Sequence, residues 1–212
     1  MSEEKKRVAI VSNLSVWAPG VVAPASMERP KDESLDGFVE FMRSQKDIPK
    51  TKEEIIANAR RDGVEERVIQ AFAEIPREEF IHPRLREFSY FDFPIPVVYL
   101  SPLDYNPFAY GRSVPKPSYI MRILTQLDTR PSHSVLQLPT GSGYTAALLS
   151  RLTTLVNTHD SNYGMFKEAS QNFGRLGLNN IHWCPGSPLI VENFLTRFLR
   201  GYKFKTILLT DT

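Results

Sequence analysis

Ser134-Val135-Leu136-Gln137-Leu138-Pro139-Thr140-Gly141-Ser142-Gly143-Tyr144 decides the fold of this chain. Its first five residues have the length and apolar character of a short buried strand. The rest form a glycine-rich turn that runs straight into an apolar segment, Thr145 to Thr153, of helical spacing. A strand, a glycine turn and a helix in that order make the opening of a nucleotide-binding βαβ unit. The glycines let the backbone approach a ligand, and an acid ending the next strand accepts hydrogen bonds from ribose hydroxyls. The next apolar run, Leu155 to Thr158, leads to Asp160, at the expected spacing of about 20 residues. The turn alone is weakly specific, because a tight strand-to-helix connection uses the same glycines without a ligand.

Downstream, the spacing predicts a helix over about Phe166 to Leu176, closed by Gly177 in the manner of a C-cap. A third strand follows at Ile181 to Trp183, a helix at Leu189 to Leu199 and a fourth strand at Lys205 to Thr210. Strands alternating with helices of about 10 residues indicate a parallel, doubly wound α/β sheet.

Upstream, Ser118 to Leu127 reads as a helix with Tyr119, Ile120, Ile123, Leu124 and Leu127 at apolar spacing. Thr51 and Glu54 have capping-box spacing ahead of Ile55, Ile56 and Ala59. Val64, Val68, Ile69, Phe72 and Ala73 mark a second amphipathic helix that stops before Pro76. Between these helices lies aromatic-rich irregular chain, and residues 94–117 carry so many prolines that they read as a long loop. Residues 1–50, broken by Pro19, Pro24, Pro30 and Pro49, sustain neither period and read as an extension or arm. The expected organisation is therefore 1–50 arm, 51–117 helical and loop region, and 118–212 nucleotide-type domain.

Composition narrows the function classes. The chain has 212 residues, 42% of them hydrophobic, and a formal charge of +2. No basic block gives it the footprint of a nucleic-acid binder. Its lone Cys184 cannot form an internal disulfide and suits a reducing compartment such as the cytoplasm. No stretch approaches the roughly 18 apolar residues of a membrane span, so direct membrane insertion is not expected. His82, His133, His159 and His182 lack ligand spacing to one another or to Cys184, so no metal site is expected. Ser142 sits outside any G-x-S-x-G elbow, and Glu78, Glu79 and Asp92 read as a solvated charge run.

Longer motifs add a family. Gly63-Val64, Ala71-Phe72 and Ile75-Pro76-Arg77-Glu78-Glu79-Phe80 resemble the N-terminal signature of protein-L-isoaspartate O-methyltransferases. The stretch from Pro117 to Tyr144 follows that family's pattern into a relative of its VLEIGTGSGY motif. Leu176-Gly177-Leu178-Asn179-Asn180-Ile181 and Ile207-Leu208-Leu209-Thr210 match two later passages. The resemblance implies a Rossmann-like class I methyltransferase sheet and S-adenosylmethionine as cofactor. It implies Gln137, Thr140, Gly141, Ser142, Gly143, Tyr144, Asp160 and Ser187 as the cofactor-facing positions, and methylation of the isoaspartate carboxylate as the family's reaction.

The same resemblance exposes departures. Where the family reads GQTISQP, this chain reads Gly111-Arg112-Ser113-Val114-Pro115-Lys116-Pro117. Ser113 keeps a hydroxyl, but the family's active-site serine falls on Pro115, which has neither hydroxyl nor backbone N–H. The acid of the cofactor motif falls on Gln137, its first glycine on Pro139, and the aspartate of the later GDG motif on Ser187. The expected cofactor binding is weak. The expected function is a non-catalytic family relative serving as a subunit beside other proteins. The alternatives are an active methyltransferase that repairs isoaspartyl residues and a fragment of a longer enzyme. The sheet is expected to stop after its fourth strand, Thr206 to Thr210, leaving an apolar edge for a partner chain to cover. The rival reading is that Val8 to Val11 folds back onto that edge.

Overall fold

The computed structural model describes residues 7–11, 35–97, 113–160, 162–183 and 206–210. Strand β1 (Arg7–Val11) is followed by helices α1 (Leu35–Ser44), α2 (Lys52–Arg61) and α3 (Glu66–Glu74). Two short 3-10 helices (Arg77–Phe80 and Pro83–Phe88) lead to the two-residue strands β2 (Ile95–Pro96) and β3 (Ser113–Val114). Then come α4 (Pro117–Gln126), β4 (Ser134–Leu138), α5 (Tyr144–Leu152), β5 (Leu155–Thr158), α6 (Tyr163–Arg175), β6 (Ile181–Trp183) and β7 (Thr206–Thr210).

Local chemistry accounts for the helix boundaries. At α2 the capping box closes in both directions: Glu54 N donates to Thr51 Oγ1 and Thr51 N to Glu54 Oε2, each at 3.2 Å. Helix α6 starts at Tyr163, three residues before the expected start, because Asn162 is its N-cap and accepts from Met165 N at 3.2 Å. It ends at Arg175 with Leu176 as C-cap, and Gly177 just beyond has a φ of +64°, which suits glycine.

Strands β1, β7, β4, β5 and β6 form one sheet in that order, every pair parallel. The chain steps outward from β4 through β5 to β6, then returns to the other side of β4 as β7. This is a Rossmann-like α/β sheet, and β4 and β7 flank its topological switch point. Val135, Leu136 and Val156 are fully buried, with no alternation between faces, as in a strand covered on both sides. Helix α5 is buried around nearly its whole circumference. It packs beneath α3, and Ala146 and Ala147 leave room for that double contact. One hydrophobic cluster runs from Phe38 and Met42 through Phe72 and Leu124 to Leu148 and Val156.

Three expectations need correction. Residues 1–50 contribute two elements. In α1, Phe38 and Met42 are buried in the main core, each stabilising the fold by about 1.5–3 kcal/mol. Leu35, Phe38, Val39 and Met42 recur at helical spacing, and Leu35 and Val39 pack half-buried against the same core. The second element, β1, corrects the open edge: it pairs in parallel with β7 along its whole length, from Arg7 opposite Thr206 to Val11 opposite Thr210. The backbone groups that would recruit a partner strand are therefore used within the chain. Third, the ends of the proline-rich 94–117 region are not loop. Ile95 pairs with Val114 and Pro96 with Ser113 in a short antiparallel ladder. The expected helix at Leu189 to Leu199 lies outside the described residues.

Candidate functional site

Ligands of open α/β sheets bind beyond the carboxyl ends of the strands at the switch point. The segment there is the turn 139–143, between β4 and α5. Gly141 and Gly143 both have positive φ, +56° and +90°, for different reasons. A Cβ on Gly141 would meet nothing within 4 Å, whereas one on Gly143 would lie 2.8 Å from two ring carbons of Phe173 and 2.9 Å from Ala169 Cβ. Gly141 faces open space and Gly143 lets α6 pack against the start of α5.

The polar residues around the turn are bonded to one another. Gln137, buried at 1% exposure, takes a hydrogen bond from Thr158 Oγ1 on its Oε1 at 2.9 Å and donates from Nε2 to the Pro139 carbonyl. Thr158 Oγ1 also lies 3.0 Å from the Gln137 carbonyl and 2.8 Å from Thr140 Oγ1. Thr140 N donates to the His159 carbonyl at 2.8 Å. Asp160 is buried at 3% exposure. Its Oδ2 accepts from Gly141 N at 2.8 Å and its Oδ1 from Asn162 N at 2.9 Å, so the carboxylate ties the turn to the start of α6. The Leu138–Pro139 peptide is cis.

Tyr144 begins α5 from a fully buried position, and its hydroxyl has no hydrogen-bond partner. Burial pushes that phenol well above its ordinary range. The Phe80 ring sits 5.6 Å from it and the Arg77 guanidinium 5.9 Å from its centroid. Arg77 is also fully buried, and burial draws it down to about 10, so it stays cationic at neutral pH. Its guanidinium donates to the carbonyls of Ser89, Phe93 (3.0 Å), Val114 (3.4 Å) and Pro115 (2.8 Å). Pro115 is therefore fixed through its carbonyl, with no side-chain donor, while Ser113 sits half-buried in β3.

Beside the turn lies a small, partly open hollow lined by Phe80, His82, Gly141, Ser142, Met165 and Glu168 among others. Burial raises the Glu168 carboxyl, with Arg175 acting against it. Burial, together with Arg84 and Arg86, lowers His82.

The structure thus brings together Gln137, Thr140, Gly141, Ser142, Gly143, Tyr144 and Asp160. Ser187 lies outside the described residues. Among the described residues no cluster of His, Cys, Asp or Glu could hold a metal ion, and no helix is long and apolar enough to cross a membrane. The expected charge run is partly structural: Glu78 accepts from the Tyr90 hydroxyl at 2.6 Å and Asp92 from Ser118 N at 2.8 Å. Sequence reasoning missed Arg77 and Thr158. Arg77 stood in plain view inside the Ile75–Phe80 signature, but nothing marked it as buried. Thr158 carries no spacing signal of its own.

The profile of the Protein-L-isoaspartate(D-aspartate) O-methyltransferase (PCMT) family matches residues 50–187. The protein-L-isoaspartate O-methyltransferase of Azorhizobium caulinodans is 34% identical over 127 residues, 59% of this chain and 54% of that protein. Its counterpart in Xanthobacter autotrophicus is 35% identical over 114 residues, 54% of this chain and 47% of that protein. A solved structure titled protein-L-isoaspartate O-methyltransferase superposes with a TM-score of 0.58 at 23% identity, covering 75% of this chain and 47% of that one, which is a likeness of fold. The chain spans about half the length of the curated relatives it matches. Strand β1, helix α1 and strand β7 lie outside the matched residues.

Proposed function

The chain belongs to the protein-L-isoaspartate(D-aspartate) O-methyltransferase family, and from that premise we propose that it uses the family fold as a scaffold without transferring methyl groups. One observation carries the proposal: the polar atoms at the cofactor-facing positions are bonded to the turn itself. Gln137 is closed between Thr158 and Pro139, and both Asp160 oxygens hold backbone amides. S-adenosylmethionine fits this arrangement only in part. Gly141 leaves open space for close approach, but Asp160, at 3% exposure and with an amide on each oxygen, leaves little accessible surface for ribose hydroxyls. The residues fit one part of the cofactor and not the other, and the proposal is weak binding. Pro115 supports the same reading, since a buried proline donates nothing to a substrate carboxylate.

The competing reading, an active S-adenosylmethionine-dependent protein carboxyl methyltransferase that repairs isoaspartyl residues, is favoured by the open space over Gly141. Calorimetric titration with S-adenosylmethionine, paired with a methyl-transfer assay on an isoaspartyl peptide, separates the two. The proposal expects binding weaker than about 100 µM, above −5.5 kcal/mol, and no transfer. Low-micromolar binding with turnover would overturn it. The proposal extends to an interaction role beside other protein subunits, which rests on the proline- and aromatic-rich sequence of 94–117. A chain that purifies and functions as a free monomer would remove that extension.

A further inference from the structure

Arg77 joins parts of the molecule that are far apart in sequence. Two of its carbonyl acceptors, Ser89 and Phe93, precede the 98–112 segment, and two, Val114 and Pro115, follow it. The same guanidinium faces the ring of Tyr144, the first residue of the helix that leaves the glycine turn. Burying a cation is costly unless it is paired or fully hydrogen-bonded. Among the described residues no carboxylate forms an ion pair with Arg77, and Asp92 acts on it only through space. Its compensation comes from main-chain carbonyls, and carbonyls hold a cation only while the backbone keeps its shape. A guanidinium suits this task because its donors are fixed in a planar fork. Nη1 reaches the Ser89 carbonyl and Nη2 those of Phe93, Val114 and Pro115, while Nε has no partner among the described residues; an ammonium has one nitrogen and cannot serve both positions at once.

We propose that Arg77 is a positioning residue: by tying the carbonyls of Ser89 and Phe93 to those of Val114 and Pro115, it sets the place of Ser113–Pro115 against Tyr144 and the start of α5. The placing of these residues then depends on the turn Arg77–Phe80 and not on β2 and β3 alone, whose ladder is two residues long. The inference does not depend on whether methyl groups are transferred.

The test is amide hydrogen exchange on the full-length chain and on Arg77→Lys and Arg77→Met, read beside a thermal melt. The Lys variant keeps a charge and the alkyl stem. It is expected to melt cooperatively and to retain protection in α3, β4 and β5. Exchange at Val114, Lys116 and Ser118 should accelerate at least tenfold, and that at Tyr144 measurably. The Met variant should show the same local pattern more strongly. An arginine that served only global stability would instead raise exchange throughout the chain. Acceleration spread evenly over the chain would overturn the proposal, as would unchanged exchange at 113–118 in the Lys variant. So would failure of both variants to fold, which would make Arg77 a general folding staple.

Discussion

Replacing Gly143 by alanine separates the two uses of glycine in the turn. The residue sits at φ +90° as the N-cap of α5. A left-handed backbone costs an L-residue about 1–2 kcal/mol. The added methyl would also stand 2.8 Å from Phe173 Cε1 and Cζ and 2.9 Å from Ala169 Cβ, so α6 would have to move away. Overpacking of that kind costs about 1–3 kcal/mol. The two costs together give about 2–5 kcal/mol, or roughly 4–20 °C in melting temperature for a chain of this size. Gly141→Ala is the control. At φ +56° with nothing within 4 Å, it carries only the conformational cost, about 1–2 kcal/mol. Urea and thermal unfolding of both full-length variants, followed by circular dichroism, measure the difference. A Gly141→Ala variant as destabilised as Gly143→Ala would refute the assignment of Gly143 to helix packing. The same pair bears on ligand binding, because a methyl on Gly141 projects into open space beside the turn.

Thr51→Ala removes the acceptor for Glu54 N and should lower stability by about 1 kcal/mol in the same melts. Strand β1 is tested by Ala9→Pro and Ile10→Pro. Successive amides in a parallel strand point to opposite edges, so one proline should break a bond to β7 and cost about 1 kcal/mol more than the other. Equal and negligible effects would mean that β1 does not close the sheet. His82 titrates below its ordinary value of 6.5 in the folded chain, so on acidification the unfolded chain takes up this proton first. Its contribution is present above 6.5 and is lost as pH falls through the depressed value. The melting temperature of the native chain should therefore drop toward that of His82→Gln as the pH falls below 6.5, and a constant gap would exclude the titration.

Much of the α/β half was legible because its signals are local. Val135 and Leu136 advertise a buried strand, Gly141 and Gly143 a turn, and Thr51 with Glu54 a helix start. These depend on neighbours a few residues away. What sequence left undecided or hidden depends on distant partners. The strand at Val8 to Val11 was legible only as the rival to a partner chain, because its pairing is with β7, about 200 residues later in a chain of 212. Likewise β2 and β3, two residues each, are too short to produce a period and exist through their pairing with each other. The early start of α6 is a different case: Asn162 is a residue type that caps helices, but the apolar positions of the helix begin only at Met165 and Phe166.

The site shows a deeper limit of motif reading. Spacing placed Asp160 correctly, at the end of β5 beside the glycine turn, but it could not say what the carboxylate does there. Ribose recognition needs a carboxylate oxygen that solvent can reach. Asp160 is enclosed, and the amides of Gly141 and Asn162 each take one of its oxygens. A charge-assisted bond of that kind is worth about 1.5–3 kcal/mol, enough to hold the turn without help from a ligand. Gln137 follows the same logic. An acid there would have faced Thr158 with acceptors only, whereas the amide accepts from Thr158 and donates to the Pro139 carbonyl, closing a loop of bonds within the protein. A ligand competing for these groups must first replace bonds that already exist, so the same residue types at the same spacing can favour a self-sufficient turn over an open binding site.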